Sequence, residues 1–388
     1  MLPRDPSQPH RTASPLELFF DLVFVVAVSI ASAQLHHALS EGDFLHGVTS
    51  YAMLFFAIWW AWMNFTWFAT SFDTDDWLYR VTTFVQMGGV LVFAAGIPAA
   101  FNESDFTIPV LGYVVMRVAM VAMVAQWLRA SRSAGELRSA TRRYAFGIAA
   151  VQVLWILFLL IPAGPLQFAA FVVFALIEIS VPVFAEYRRQ TPWHPHHITE
   201  RYGLFTLIVL GESLLASANA IIDALHEVES LGPLIAISVL TLVVTASLWW
   251  IYFWPPHHRA ITSFGRSLRY GYTHYFVFAA AAAFSAGIEV EIDVLTGKSH
   301  LSNLAASFTV TIPIAIFLVG IWWIAIRQNA DRVVNTVVPL GALLVLLDPV
   351  LPIPVTLTAL VLVVVVVVLV LHPPVESTRM DPTRIDRA

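Results

Sequence analysis

Glu17 and Asp21 sit four residues apart in an otherwise apolar stretch. On a helix they share one face, with Asp21 about 6 Å deeper at 1.5 Å per residue. Carboxylates in such a setting can hold a cation, pass a proton or pair with a buried base. Glu200 and Arg201 open a second apolar stretch at a similar depth, and His274 opens a third, one turn beyond Arg269 and Tyr270. His274 is the group best suited to change charge near neutral pH. Further in lie Arg117, Glu178 and Glu212. An ionised group in hydrocarbon costs several kcal/mol unless paired or hydrated, so each of these positions demands a partner or a function. Arg117 requires an acid, and Glu178 and Glu212 are the candidates. Glu212 stands in Leu210-Gly211-Glu212-Ser213, where Gly211 permits close approach of another backbone and Ser213 offers a hydroxyl. It is the first choice for an ion or proton site at the midplane. Gln86, Asn64 and Gln152 either extend a polar path or tie helices together by hydrogen bonds.

These residues need a lipid-embedded helical scaffold. Of 388 residues, 58% are hydrophobic and 12% charged, against about 25% charged in soluble domains. A bilayer core of about 30 Å needs around 20 apolar helical residues. The hydropathy pattern predicts an all-α polytopic membrane protein of about twelve spans: 16–36, 46–70, 77–100, 106–128, 144–162, 165–186, 198–222, 232–254, 269–290, 304–326, 334–348 and 351–371. Pro339, Asp348, Pro349, Pro352 and Pro354 interrupt the last pair, which reads as two spans, a broken pair or a re-entrant hairpin. Residues 1–14 are polar and lack the apolar stretch of a cleaved signal peptide, so the first hydrophobic run reads as a true span. Residues 373–388 form a second polar tail.

Basic residues set the expected orientation. Nineteen of the twenty-one Lys and Arg fall beside the span ends of one side, including Arg80, Arg138, Arg142 and Arg143; Lys298 is alone on the other, and Arg117 lies within a span. The basic side, with both termini, is expected to face the cytoplasm of a bacterial inner membrane. Trp59, Trp60, Trp62, Trp67, Trp127, Trp249, Trp250, Trp254, Trp322 and Trp323 lie toward the same helix ends, and read as an interfacial aromatic belt.

The halves 15–190 and 191–372 resemble one another. Glu17 with Ala31-Ser32-Ala33 matches Glu200 with Ala216-Ser217-Ala218, Trp59-Trp60 matches Trp249-Trp250, and Phe93-Ala94-Ala95-Gly96-Ile97 matches Phe284-Ser285-Ala286-Gly287-Ile288. The offsets of 183, 190 and 191 residues predict two parallel six-helix repeats. Under that symmetry Glu17, Asp21, Arg80, Glu200, Arg201, Arg269 and His274 gather at the cytoplasmic helix ends. The gathering is either an ion-paired network that pins helices or a vestibule that handles protons.

Other chemistries find little support. No cysteine is present, so thiolate chemistry is excluded. The sequence lacks a Walker loop, a dinucleotide fingerprint, a Gly-x-Ser-x-Gly elbow and His-Glu-x-x-His. Neither an enzyme nor a bound cofactor is expected, and a net charge of −5 argues against nucleic acid. His36-His37, His194-Pro195-His196-His197 and His257-His258 read as loop residues near headgroups rather than metal ligands.

Ser14-Pro15-Leu16-Glu17-Leu18-Phe19-Phe20-Asp21-Leu22-Val23-Phe24-Val25 resembles the opening signature of the bacterial low temperature requirement protein A family. Glu200-Arg201-Tyr202-Gly203-Leu204-Phe205 running into Leu210-Gly211-Glu212-Ser213, Trp249-Trp250-Ile251-Tyr252-Phe253 and Tyr272-Thr273-His274 are similar to that family too. The resemblance covers residues 12–370. It implies a multi-pass bacterial membrane protein linked to growth in the cold, and no particular substrate. Phe20-Asp21 is also similar to potassium channels with a Phe-Ser-Asp motif on their first helix, although Phe20 replaces the serine and the second half has Leu204 at the matching place.

The expected function is therefore a transporter or permease for a small solute, ion or proton, with Asp21, Glu212 and His274 as titrating groups. The alternatives are a cation channel with Asp21 near its entrance and a non-transporting scaffold or lipid-related protein for cold adaptation. Membrane lipids are the expected partners, with a homo-oligomer possible in any of the three.

Overall fold

A computed structural model describes residues 11–72, 75–119, 137–224, 232–350 and 356–375. The described residues are helical, with no strand among them. The helices are α1 (Pro15–Ser40), α2 (Phe44–Phe72), α3 (Trp77–Glu103), α4 (Thr107–Ala119), α5 (Arg138–Phe158), α6 (Pro165–Glu186), α7 (Pro195–Ala224), α8 (Gly232–Phe253), α9 (Phe264–Leu295), α10 (Asn303–Ile321), α11 (Arg332–Leu347) and α12 (Thr356–Leu371). Nine of these described helices are long and apolar enough to cross a membrane: α1, α2, α3 and α6 through α11. The described parts of α4 and α12 are shorter apolar helices. α5 carries Arg138, Arg142 and Arg143 in its opening turns, which lowers its apolar character. Arg4, Arg129, Arg132, Trp127, Pro352, Pro354, Arg379, Arg384 and Arg387 lie outside the described residues.

Local chemistry explains where the helices start. Ser14 and Glu17 form a capping box, in which Ser14 Oγ accepts from the Glu17 amide at 3.3 Å and Glu17 Oε2 accepts from the Ser14 amide at 2.8 Å. Asp76 caps α3 and Asp331 caps α11 in the same sense. At the proline-rich junction, Asp348 accepts from the Thr358 amide at 2.9 Å and from its hydroxyl, so the end of α11 caps the start of α12.

α9 is the hub of the bundle. Its 32 residues span about 48 Å, more than a bilayer core requires. The helix runs five residues beyond the expected span 269–290 at each end, and carries Glu291 and Asp293 past the expected close. α1, α2, α7, α8 and α10 all pack on α9. Helix directions follow from side-chain pairs at both ends. Glu17 meets Arg201 at the starts of α1 and α7, while His36 meets Asp293 near the ends of α1 and α9. Asn102 reaches Gln34 near the ends of α3 and α1. Thus α1, α3, α7 and α9 run parallel. α2 runs antiparallel to them, with Arg11 beside Thr70 and Tyr51 donating to the Ala279 carbonyl at 2.8 Å.

Two sequence expectations are corrected here. Trp59, Trp60 and Trp62 are buried among Phe56, Phe205, Tyr272, Tyr275 and Phe278 rather than lying in an interfacial belt. α2 is surrounded by other helices at that level, so its indoles pack the core. Trp249, Trp250 and Trp323, each 43% exposed, keep the outward position that a belt requires. The histidine groups are also not simply loop residues. His36 and His37 belong to α1, His196 and His197 to the first turn of α7, and His257-His258 to a 3-10 turn (His257–Ala260).

The α9–α10 contact is backbone on backbone. A Cβ added at Gly287 would come within 2.4 Å of the Thr309 carbonyl oxygen, which cannot swing aside as a side chain would. Gly287→Val should force the two helices apart and cost about 1–3 kcal/mol or more. Thermal unfolding in detergent should show a lower midpoint, whereas Gly265→Ala, at a position with open space around it, should leave the midpoint near that of the unmodified protein.

Candidate functional site

The ionisable residues separate into a dry group and a wet group at opposite ends of α1 and α7. At the starting end, Arg201 donates from Nε to Asp21 Oδ2 at 3.0 Å and from Nη2 to Asp21 Oδ1 at 2.5 Å, while Nη1 reaches Glu17 Oε1 at 2.9 Å. His197 Nε2 stands 3.1 Å from Glu17, and Trp62 Nε1 donates to Asp21 Oδ1 at 2.6 Å. Asp21 and Arg201 are each 0% exposed. Phe65 lies under the guanidinium and Phe20 stacks on Phe65. This is an ion-paired, buried clasp between α1 and α7.

The expected seven-residue gathering is therefore corrected. Glu17, Asp21 and Arg201 meet, and His197 joins them. Arg80 pairs with Asp75 on the exterior, where both side chains are more than half exposed. Glu200 is adjacent to Arg201 and so faces another way, lining a cavity with Arg11 and His196. Arg269 is half-buried and has no ion pair among the described residues. His274 is enclosed by Tyr202, Tyr252, Tyr270 and Phe278. A helix turns about 100° per residue, so equal depth does not mean a shared face.

A second dry pair joins α4 to α6. Arg117 donates to Glu178, whose Oε1 also accepts from Tyr113 at 2.7 Å and whose Oε2 accepts from Trp155 at 2.8 Å. Glu178 is the acid that Arg117 requires, and Glu212 is not. Gly211 does not serve a close approach either, because the space around it is open. Asn64 bonds to its own helix at the Trp60 carbonyl.

Glu212 instead lies in the wet group. An open cavity of about 480 Å³ enters from the far ends of α1, α7 and α9. α1 contributes Ser29, Ser32, His36 and His37; α7 contributes Glu212, Asn219 and Asp223; α9 contributes Ser285, Glu289 and Asp293; Lys298 stands in the following turn. His36 bridges two acids, with Nε2 2.6 Å from Asp293 and Nδ1 3.4 Å from Glu289. Ser40 also donates to Asp293 at 2.8 Å. Glu212 is half-buried and makes no hydrogen bond or ion pair among the described residues. The Ser285 hydroxyl, 1% exposed, lines this cavity without a partner. Below it, Ser32 and Ser213 donate to the adjacent α9 carbonyls of Ala282 and Ala281 at 2.6 and 3.3 Å. Four carboxylates against one lysine, between low-dielectric walls, concentrate cations. The described residues hold no group of three or more His, Asp or Glu placed to hold a metal ion.

The cavity reaches Glu212 and stops short of Asp21. Eleven residues, about 16 Å of helix, separate Arg201 from Glu212. Trp62, Phe205 and Phe278 fill part of that interval, with ring centroids 4.5–5.6 Å apart. Among the described residues Asp21 is fully buried. Asp223, Glu289 and Asp293 were not among the expected site residues, and His36 was expected in a loop near headgroups. Their signal was present: Glu289 and Asp293 are four residues apart and share a helix face, and His36-His37 ends a span parallel to theirs.

A second cavity, of about 640 Å³, opens at the starting end between α7, α8 and the segment before α1. Arg11, His196, Thr199, Glu200, Tyr252 and His257 are among its lining residues.

Nine long apolar helices, buried ion pairs and a polar cavity entering from one end define a polytopic helical membrane protein. The model of the bacterial low temperature requirement A protein (LtrA) matches residues 12–371. The chain belongs to that family. It is also 31% identical over 264 residues to an uncharacterized protein of Rhizobium meliloti (strain 1021), a match covering 64% of this chain and 60% of the relative. The aligned region thus spans less than two thirds of the relative's length.

Two outcomes follow from the dry group and its surroundings. Arg201→Met should leave two buried acids unmatched and cost about 3–5 kcal/mol, and adding Glu17→Gln and Asp21→Asn should recover most of that loss; thermal unfolding of the single and triple variants checks the pairing. His257 is buried between helices, and burial pushes it down to about 4. From pH 6.5 to 4 the unfolded chain binds a proton that the folded chain refuses, so folding stability falls as pH drops through that window. His257→Gln should flatten the fall by up to about 3 kcal/mol, read from unfolding midpoints across the same pH range.

Proposed function

We propose that the chain is a transporter that takes a small cation into the acidic cavity at Glu212 and couples its movement to protons. The observation that carries this reading is one-sided access: an open acidic cavity leads to an unpartnered carboxylate, and a dry aromatic and ion-paired layer lies beyond it. Such a layout matches one state of an alternating-access cycle. A channel would need an opening past Asp21, so the layout favours a carrier. It also gives the polar groups more to do than a scaffold would require.

The same reading takes the chain as twelve spans in two parallel six-helix halves. α1 packs on α2 and α3 as α7 packs on α8 and α9. Gly96 approaches Pro109 of α4, and Gly287, at the 191-residue offset, approaches Thr309 of α10. The halves would rock about the site they enclose. On this reading both termini and the Arg201 clasp face the cytoplasm of a bacterial inner membrane and the acidic cavity opens outward beside Lys298, an orientation that the basic asymmetry of the sequence supports.

Reconstitution in liposomes containing a pH-sensitive dye tests the proposal. Gradients of sodium, potassium, ammonium or tetramethylammonium should move protons in the unmodified protein. Glu212→Gln should abolish that movement while leaving insertion and the unfolding midpoint intact. Equal flux in Glu212→Gln would remove Glu212 from the pathway, and absence of flux for every cation would overturn the transporter reading.

A further inference from the structure

The acidic cavity at the far ends of α1, α7 and α9 is long as well as open. Its α7 wall carries Glu212, Asn219 and Asp223. These positions are two and three helical turns apart, so they share one face, and about 16 Å of axis separates Glu212 from Asp223. The α9 wall carries Ser285, Glu289 and Asp293 at steps of about 6 Å. Hydrogen bonds fix the relative levels of the three helices. Ser32 of α1 and Ser213 of α7 reach the Ala282 and Ala281 carbonyls of α9 at 2.6 and 3.3 Å. Along the parallel helices from that level, Glu212 stands at the floor. Ser285 lies one turn above it, Glu289 two turns above, and Asp223 and Asp293 stand at the mouth.

The carboxylates thus form a ladder rather than a ring. Among the described residues no group of three or more His, Asp or Glu is placed to hold a metal ion. The lining holds no Phe, Tyr or Trp face of the kind that recognises a quaternary ammonium. Ala33, Ala220 and Ile292 are set among the polar groups, and methylene groups can lie against them. At the floor, hydroxyl oxygens join Glu212 in the lining. The Ser285 hydroxyl, 1% exposed, has no hydrogen-bond partner. Ser32 gives its proton to the Ala282 carbonyl and keeps its lone pairs. A primary ammonium carries three N–H donors and no acceptor, and a carboxylate with two hydroxyl oxygens is a matching set.

We infer that this cavity binds a linear aliphatic polyamine lengthwise, with one primary ammonium on Glu212 and Ser285 at the floor and the remaining amines on Glu289 and Asp223 toward the mouth. Asp293 is already held by His36 and Ser40. Asp223 is exposed and makes no hydrogen bond or ion pair among the described residues, so it is the acid that the mouth offers. A monoamine meets one rung of the ladder. A polyamine meets several, and each contact after the first is intramolecular, which raises affinity without a new kind of contact. Its charges also offset a space with four carboxylates and one lysine. The inference rests on the reading of this cavity as the substrate site of a cation carrier, and names the class of cation.

Isothermal titration calorimetry on the full chain in phosphatidylcholine nanodiscs, at constant ionic strength, tests it. Spermidine should bind about tenfold or more tightly than butylamine, and tetramethylammonium no better than butylamine. Glu212→Gln and Asp223→Asn should each weaken spermidine binding by about tenfold, and Ser285→Ala by about threefold or more. Each variant should keep the unfolding midpoint of the unmodified protein. Glu200→Gln, in the other cavity, should leave spermidine binding unchanged. Equal affinity for spermidine and butylamine would overturn the inference, as would full spermidine binding in Asp223→Asn or an equal loss in Glu200→Gln. Proton flux driven by sodium or potassium in a protein that binds no spermidine would overturn the polyamine site and keep the carrier. Spermidine binding without flux for any cation, spermidine included, would keep the site and overturn the carrier.

Discussion

A guanidinium with no exposed surface has to be matched. Arginine does not shed its proton to escape a dry site, as lysine can, so Arg201 imposes its charge on whatever surrounds it. It takes both oxygens of Asp21 and one of Glu17, and those bonds hold the first turns of α1 and α7 together. The parallel course of the two helices along α9 follows from that clasp. At their far ends the same two helices have no such tie, and there the open cavity lies.

Water divides the carboxylates into two kinds. Glu17, Asp21 and Glu178 have given up hydration for fixed partners, and their geometry leaves little room for a ligand. Glu212, Asp223, Glu289 and Asp293 share an open cavity instead. The depth of a charge along its helix does not separate these kinds. What separates them is which neighbours the helix face meets, and for α1 and α7 that changes from a cation at one end to open space at the other.

This distinction explains what could be read from the sequence. The apolar runs marked nearly every helix, because lipid solvation leaves a direct trace in composition. The need for an acid near Arg117 was equally direct. The choice between Glu178 and Glu212 was not, since it turns on whether α6 or α7 packs beside α4. Residues near helix ends were the hardest to place. Glu289 and Asp293 lie at and beyond the close of the expected span 269–290, yet α9 carries them on as one wall of the cavity. Glu200 and Arg201 were read as a unit, although neighbours on a helix point in different directions. His36 was discounted for want of a cysteine partner, while its actual partners are carboxylates on another helix.

The clasp also has a consequence for how the chain is made. Asp21 and Arg201 are separated by 180 residues, and synthesis at about 5–20 residues per second puts roughly 10–40 s between their appearances. For that interval α1 carries two acids into the bilayer with no base to match them. It cannot settle in lipid as a finished helix, and has to wait at the insertion machinery, or with its carboxyls protonated, until α7 arrives. The clasp is therefore a contact that the first half of the protein can complete only after α7 has been translated.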